Sequence, residues 1–207
     1  VKRNVYCVST DTPFFEVQSV TFEPARGMNI VQWRKNVEKT HEIYMRSYHA
    51  SKPLEVSTFS VVPEGAKLSA YRLTASNGYR TECMFQSAKT FENGGPYTDL
   101  LNVKPHDAQH DARLRNSGKL TCFTLFGKEY PLEPKTAFYD WIYIRSLMDN
   151  PELAAFVTHY DAFTDTSFNP ERQVNCQAEA CAIYCGMQKA GIKVPDTFED
   201  FVKAVWG

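Results

Sequence analysis

Three side chains near the middle of the chain have types and spacing that could make and break bonds: Glu82, Gln86 and Lys89. A neutral lysine amine is a nucleophile toward carbonyl and sugar carbons, and a carboxyl can give or take the proton that such a step moves. On a helix, residues i, i+4 and i+7 share a face. The run Glu82-Cys83-Met84-Phe85-Gln86-Ser87-Ala88-Lys89 therefore presents the three as one polar stripe, with Cys83, Met84, Ala88 and Phe91 on the other side. The same periodicity describes a plain solvated helix face.

Positioning that stripe falls to elements that can be read from the pattern. Residues 79–92 are expected to be a helix stopped by Gly94-Gly95-Pro96, because glycine supplies positive φ and proline cannot continue a helix. Residues 14–22 read as a strand, 31–48 as a helix with Trp33, Val37 and Tyr44 at helical spacing, and 54–60 and 68–73 as strands around a Pro-Glu-Gly turn. Pro105 opens an expected helix over 105–115, and 120–126 reads as a strand. Residues 136–148 are apolar nearly all round, the mark of a buried helix. Asn150 can cap the next helix, 176–190 is another, and Asp196 with Glu199 forms a capping-box pattern for the last. The expected fold is α+β, a predominantly helical single domain with a small antiparallel sheet.

Composition narrows the function classes. The net charge of −1, without any block of like charges, excludes a protein that coats long stretches of nucleic acid. The one basic cluster, Lys104, Arg113, Arg115 and Lys119 with His106 and His110, is diluted by Asp107 and Asp111 and reads as a solvated helix surface. Aromatic residues make up 14% of the chain, enough both to fill a core and to line a pocket for flat rings. The six cysteines are not in C-x-x-C pairs, and the five histidines show no ligand spacing, so no metal and no cofactor is expected. The opening run VKRNVYCVSTD has no apolar signal region, and no stretch approaches a transmembrane length. A cytoplasmic protein with reduced thiols and no membrane partner is the expectation.

The run E-x-x-x-Q-x-x-K resembles the signature helix of the NADAR superfamily, whose members act on ADP-ribosyl and related N-glycosides. Further pieces follow in order. Glu64-Gly65-Ala66-Lys67-Leu68-Ser69-Ala70-Tyr71 resembles the glycine-to-serine segment before that helix, with Ala70-Tyr71 where members often carry Asn-Phe. Asp165-Thr166-Ser167-Phe168-Asn169 resembles the family's Asp-x-x-Trp-Gly segment, with Phe168 for tryptophan and Asn169 for glycine. The stretches FQSAKTFENGGPYTDLL, PLEPKTAFYDW and YDAFTDTSFNPERQVNCQA look like the branch that serves as antitoxin to a DarT-type toxin, which ADP-ribosylates guanine in DNA. The resemblance covers about residues 54–190 and leaves 1–50 unplaced.

That resemblance implies ADP-ribosylated DNA as substrate, the cognate toxin as partner, and removal of ADP-ribose from guanine. It implies Lys89 as nucleophile on C1″, passing through a Schiff base. A free lysine has a pKa of about 10.4, so about 1 in 2,500 is neutral at pH 7, and burial beside Phe85 is one way to lower that value. Glu82, if ionised and close, would work against this. A proton-transfer role for Glu82 on the leaving guanine or the ribose hydroxyls is the expectation. Asp165 is implied in water activation or ribose contacts. Ser57, Ser60 and Ser69 are candidates for ribose or phosphate, Asn175 and Gln177 for base or ribose, Gln86 for orienting Glu82 or ligand, and Trp141 and Phe168 for stacking on a base. Strand-end hydrogen bonding, helix capping and core packing explain the same residues without a ligand. Two other readings stay open: an N-glycosidase acting on another ADP-ribosyl or riboflavin-pathway conjugate, and a module that binds ADP-ribose or toxin without turnover.

Overall fold

The computed structural model describes residues 1–25, 27, 29–168, 174 and 176–207. The first fifty residues, silent by resemblance, build one edge of the main sheet. Strands β1 (Lys2–Val8) and β2 (Phe15–Thr21) pair antiparallel in unbroken register from Lys2↔Thr21 to Val8↔Phe15. On its other side β1 meets β7 (Ala162–Thr164) through Tyr6↔Phe163 and Cys7↔Ala162. Strand β7 then runs parallel to β3 (Pro53–Glu55), matching Glu55 to Thr164. A parallel pair requires a long crossover, and everything between residues 56 and 161 supplies it.

Most of the expected elements are present, with shifted limits. Helix α1 (Ile30–Ser47) starts at Asn29, whose side chain accepts the Gln32 N–H at 3.0 Å. It buries Val37 and Tyr44, and Trp33 stacks on Phe59 at 4.9 Å. Helices α6 (Ala137–Met148) and α8 (Gln177–Lys189) are buried almost all round and pack on each other at the centre. Helix α7 (Pro151–Val157) follows Asn150, whose amide bonds back to the Thr74 and Ser146 carbonyls rather than forward into the helix. Helix α9 (Phe198–Trp206) is capped one residue later than expected: the Thr197 hydroxyl accepts from the Asp200 N–H, in place of the Asp196–Glu199 pair.

Several expectations are corrected. Among the described residues there are two small sheets where one was expected, and the four-stranded one, ordered β2-β1-β7-β3, is mixed because of the parallel β3–β7 pair. The second is antiparallel: β4 (Lys89–Phe91), β5 (Leu120–Leu125) and β6 (Lys128–Tyr130). The strand expected at 54–60 ends at Glu55. Residues 68–73 are not a strand. They follow a short helix α2 (Pro63–Lys67) and turn back, with the Arg72 and Leu73 N–H groups both donating to Ser69 O. The helix expected over 79–92 is only α3 (Thr81–Ala88), because Lys89, Thr90 and Phe91 pair with β5. The helix expected over 105–115 breaks at Asp111 into α4 (Pro105–His110) and α5 (Arg113–Asn116). Among the described residues no helix is long and apolar enough to cross a membrane.

Candidate active site

Helix α3 forms the floor of the site and is anchored at its start by the turn before it. It has no side-chain cap. Instead the Thr81 and Glu82 N–H groups donate to Leu73 O and Ala70 O, each at 3.0 Å, which satisfies donors that a helix start leaves orphaned. All eight residues of α3 are buried. The polar stripe is therefore no solvated face: Glu82 is 6% exposed and Gln86 4%.

Lys89 is the residue after the helix, extended at φ −62 and ψ 121, and it opens β4 opposite Phe123. Its Nζ donates to Gln86 Oε1 at 2.7 Å, and Gln86 Nε2 donates to Glu82 Oε1 at 2.8 Å. The amine also lies 4.7 Å from the centre of the Phe85 ring. Gly95 holds the backbone beneath it. With φ at +86, a Cβ there would stand 2.3 Å from Lys89 O, so only glycine fits.

These groups open into a cavity of about 600 Å³, a size suited to a nucleotide-like ligand. Its walls include Phe85, Phe123, Tyr139 and Phe168, and Asp165 lines it together with Glu82 and Lys89. Arg115 and Lys135 add positive charge to the lining. Burial drives the electrostatics. It pulls the Lys89 amine below its usual value, with Glu82 opposing. It pushes Glu82 up, countered by the Gln86 amide and Lys89 and reinforced by Asp165. It pushes Asp165 up as well, countered by the Ser167 hydroxyl and N–H. A cavity holding an amine nearer neutrality and two carboxyls nearer protonation has the parts for nucleophilic attack with proton transfer.

Other expected site residues divide between the cavity and its supports. Ser69, Gln177 and Phe168 line the cavity. Gln177 Oε1 also accepts the Ala70 N–H at 2.7 Å and so fixes the turn that anchors α3. Ser57 is buried behind the wall and donates to Glu55. Ser60 is buried too, its hydroxyl accepting from the Val62 N–H. Trp141 packs on Phe198 and Phe201, at 6.3 and 5.3 Å, and is core rather than cavity wall. Asn175 lies outside the described residues.

The sequence reading missed Glu55, Tyr139, Gln109 and Lys135, and put Arg115 on a solvated surface. Tyr139 sits in the all-apolar helix pattern that suggested pure core. Gln109 accepts from the Tyr71 hydroxyl beside Ser69. Nothing in the run LEVSTFS marks Glu55, whose alternation with Leu54 and Val56 is that of an outward strand residue. Among the described residues no group of His, Cys, Asp or Glu side chains is arranged to hold a metal ion.

A family model described as DarT1-associated NADAR antitoxin matches residues 1–206. The chain belongs to that family. The match includes the first fifty residues, consistent with β1 and β2 being integral to the antitoxin's main sheet. No curated protein matches the antitoxin.

Proposed function

We propose that the antitoxin is an N-glycosidase that removes ADP-ribose from guanine bases in DNA, with Lys89 as nucleophile. One observation carries the reading: the Lys89 amine is half-buried against Phe85, held by an amide rather than by a carboxylate, in a cavity that also presents two carboxyls. Family membership supplies the toxin context, and the lysine supplies a chemistry that would undo the toxin's modification.

In the proposed reaction the neutral amine attacks C1″ of the ribose. The C1″–N bond to guanine breaks, and Glu82 gives the departing base nitrogen a proton. The lysine nitrogen gives a proton to the Glu82 carboxylate, which passes it to O4″ as the C1″–O4″ bond breaks, leaving a protonated Schiff base. Water adds at C1″ with Asp165 accepting its proton; Asp165 then returns that proton to Nζ, the new C1″ hydroxyl gives its own to Glu82, and the C1″–Nζ bond breaks to release ADP-ribose and the free amine. The balance is one water consumed per glycosidic bond cleaved. The small net charge suits an enzyme that meets one adduct on DNA rather than a long track.

The test is incubation with an oligonucleotide carrying ADP-ribosyl guanine, with borohydride in a parallel sample. Release of ADP-ribose and a reduced adduct on Lys89 are expected, and Lys89→Arg should give neither. Release without an adduct, under conditions that trap a known lysine imine, would remove Lys89 as nucleophile. Folded protein that releases nothing would redirect the search to other N-glycosides. Glu82→Gln at full turnover would refute the proton-transfer role.

A further inference from the structure

The turn that anchors α3 lines two hollows. Ser69, Ala70 and Tyr71 face the reaction cavity, while Lys67, Arg72 and Thr74 face a second hollow of about 430 Å³. Arg80, the residue before α3, completes a set of three cations there, and no carboxyl lines it. All three side chains are exposed. Elsewhere the surface cations Lys39, Arg46, Arg113, Lys128, Arg145 and Lys193 each meet a carboxylate. Among the described residues Lys67, Arg72 and Arg80 meet none. The hollow is also braced. The Arg80 guanidinium donates through one nitrogen to the Arg72 carbonyl, which leaves its other N–H groups for a ligand. On the opposite wall the Asn150 amide nitrogen donates to the Thr74 and Ser146 carbonyls, each at 2.8 Å. A concave surface lined by charge of one sign focuses its field on ions of the other.

We propose that this hollow holds backbone phosphates of the DNA strand that carries the modified guanine, with Lys67, Arg72 and Arg80 as their contacts. The proposal rests on the reading of modified DNA as the substrate. Guanidinium and ammonium groups donate charge-assisted hydrogen bonds to phosphate oxygens. None of the three lines the reaction cavity, so they serve the strand and not the ADP-ribose. The spacing suits a strand that passes both openings. Helix α6 carries Tyr139 in the cavity wall near its start, and Asn150 lies in the hollow just past its end. At about 1.5 Å of rise per residue these positions lie about 16 Å apart, or about five nucleotide steps of a duplex strand. Phosphate contacts at that distance fix where the strand lies without reading its sequence. They give a chain of net charge −1 a local hold on DNA.

The first test needs no turnover. Binding of a fluorescein-labelled, unmodified oligonucleotide of about fifteen nucleotides, long enough to reach the hollow from the cavity, is followed by anisotropy across a salt series. The double variant Lys67→Ala/Arg72→Ala keeps the backbone bonds of the turn and the carbonyl that braces Arg80. It should weaken binding about tenfold or more, and the slope of log affinity against log salt should become shallower by about 1–2. Lys39→Ala/Arg46→Ala removes the same charge from cations already tied to Glu42 and should leave the slope unchanged. Equal losses in the two variants would mean long-range charge and overturn the proposal, as would wild-type affinity in Lys67→Ala/Arg72→Ala. The second test compares KM for ADP-ribose release from a modified trinucleotide and from a modified strand of about fifteen nucleotides. In the wild type the longer strand should have the lower KM, by about tenfold, and in Lys67→Ala/Arg72→Ala that advantage should vanish. Equal KM values for both lengths in the wild type overturn the proposal. A wild type whose binding depends on Lys67 and Arg72 but which releases no ADP-ribose leaves the phosphate site standing and overturns the N-glycosidase reading instead.

Discussion

Glu82 and Lys89 do not touch: the Gln86 side chain stands between them, its amide nitrogen on the carboxylate and its carbonyl oxygen on the amine. A direct ion pair would stabilise the ammonium and raise its pKa. The amide relay keeps both groups in one cavity while lessening that effect, and burial then wins for Lys89.

Gln86→Leu tests this relay. With the spacer gone, amine and carboxylate can pair directly, and each unit of rise in the lysine pKa lowers its neutral fraction about tenfold. Borohydride trapping at pH 7 should slow about tenfold or more and recover toward pH 9. A trapping profile identical to the wild type would show that the relay sets nothing.

Gly95→Ala should damage the site without touching it. The new Cβ would press on the Lys89 carbonyl at a φ that alanine resists. A cost of about 1–3 kcal/mol in denaturant unfolding is expected. Displacing a reacting group by 1 Å costs up to about a hundredfold in rate. A variant of normal stability and normal trapping rate would mean that the loop is not what positions Lys89.

Arg115 and Lys135 line the cavity with no assigned step in the reaction. As contacts for the ligand's phosphates, each should contribute mainly to binding. Arg115→Ala or Lys135→Ala should raise KM for the modified oligonucleotide about tenfold, in line with the loss of a charged hydrogen bond, with kcat nearly constant. Arg113→Ala is the control, because Arg113 is tied to Asp99 at 2.6 Å and Asp111 at 2.9 Å. Equal effects from all three would point to long-range charge rather than contact.

Stability should fall as pH rises from about 4 to about 7. Burial holds Glu55 and Glu179 up to about 7 and pushes Glu82, Asp165 and Asp140 upward too. Asp140 is fully buried, and among the described residues neither of its carboxyl oxygens has a hydrogen-bond partner. Within that window the folded chain binds more protons at these sites than the unfolded chain, so raising the pH favours unfolding. His41 acts in the opposite sense between about 4 and 6.5, because it is neutral when folded and charged when unfolded. The carboxyls outnumber it, so urea unfolding should give about 2–3 kcal/mol more stability near pH 5 than near pH 7.5. His41→Gln should steepen the slope. Stability that rises over this range would contradict the burial of these acids.

Local pattern reached some of this and stopped where long-range pairing took over. The spacing of Glu82, Gln86 and Lys89 was legible; Gly94-Gly95-Pro96 reads as a helix stop, but the helix already ends at Ala88 and the run instead follows β4. Whether the stripe faced water was not legible, because the walls that cover it, Phe123, Tyr139 and Phe168, come from later segments. Lys89 looked helical because helical spacing extends through it, yet pairing with Phe123 on β5 makes it extended. Glu55 had the alternation of an outward strand residue, and its burial follows from parallel pairing with β7. Ser57 reads as a plausible ligand contact, but that same pairing leaves it bonded to Glu55 behind the wall. Residues 68–73 have strand-like composition, and only the anchoring of α3 by their carbonyls explains their turn.

The pairing of β1 with β7 has a consequence in time. Tyr6 is made 157 residues before its partner Phe163, a wait of roughly 8–30 s at roughly 5–20 residues per second. Lys89 and Glu82 leave the ribosome well before Asp165, and the strand that carries Asp165's neighbours cannot dock until then. A nascent antitoxin cannot complete the proposed site before Asp165 has emerged. Any event that truncates translation between Lys89 and Asp165 yields a chain with the lysine of the proposed reaction but without its second carboxyl, and protection against the toxin would then depend on how many ribosomes pass Asp165.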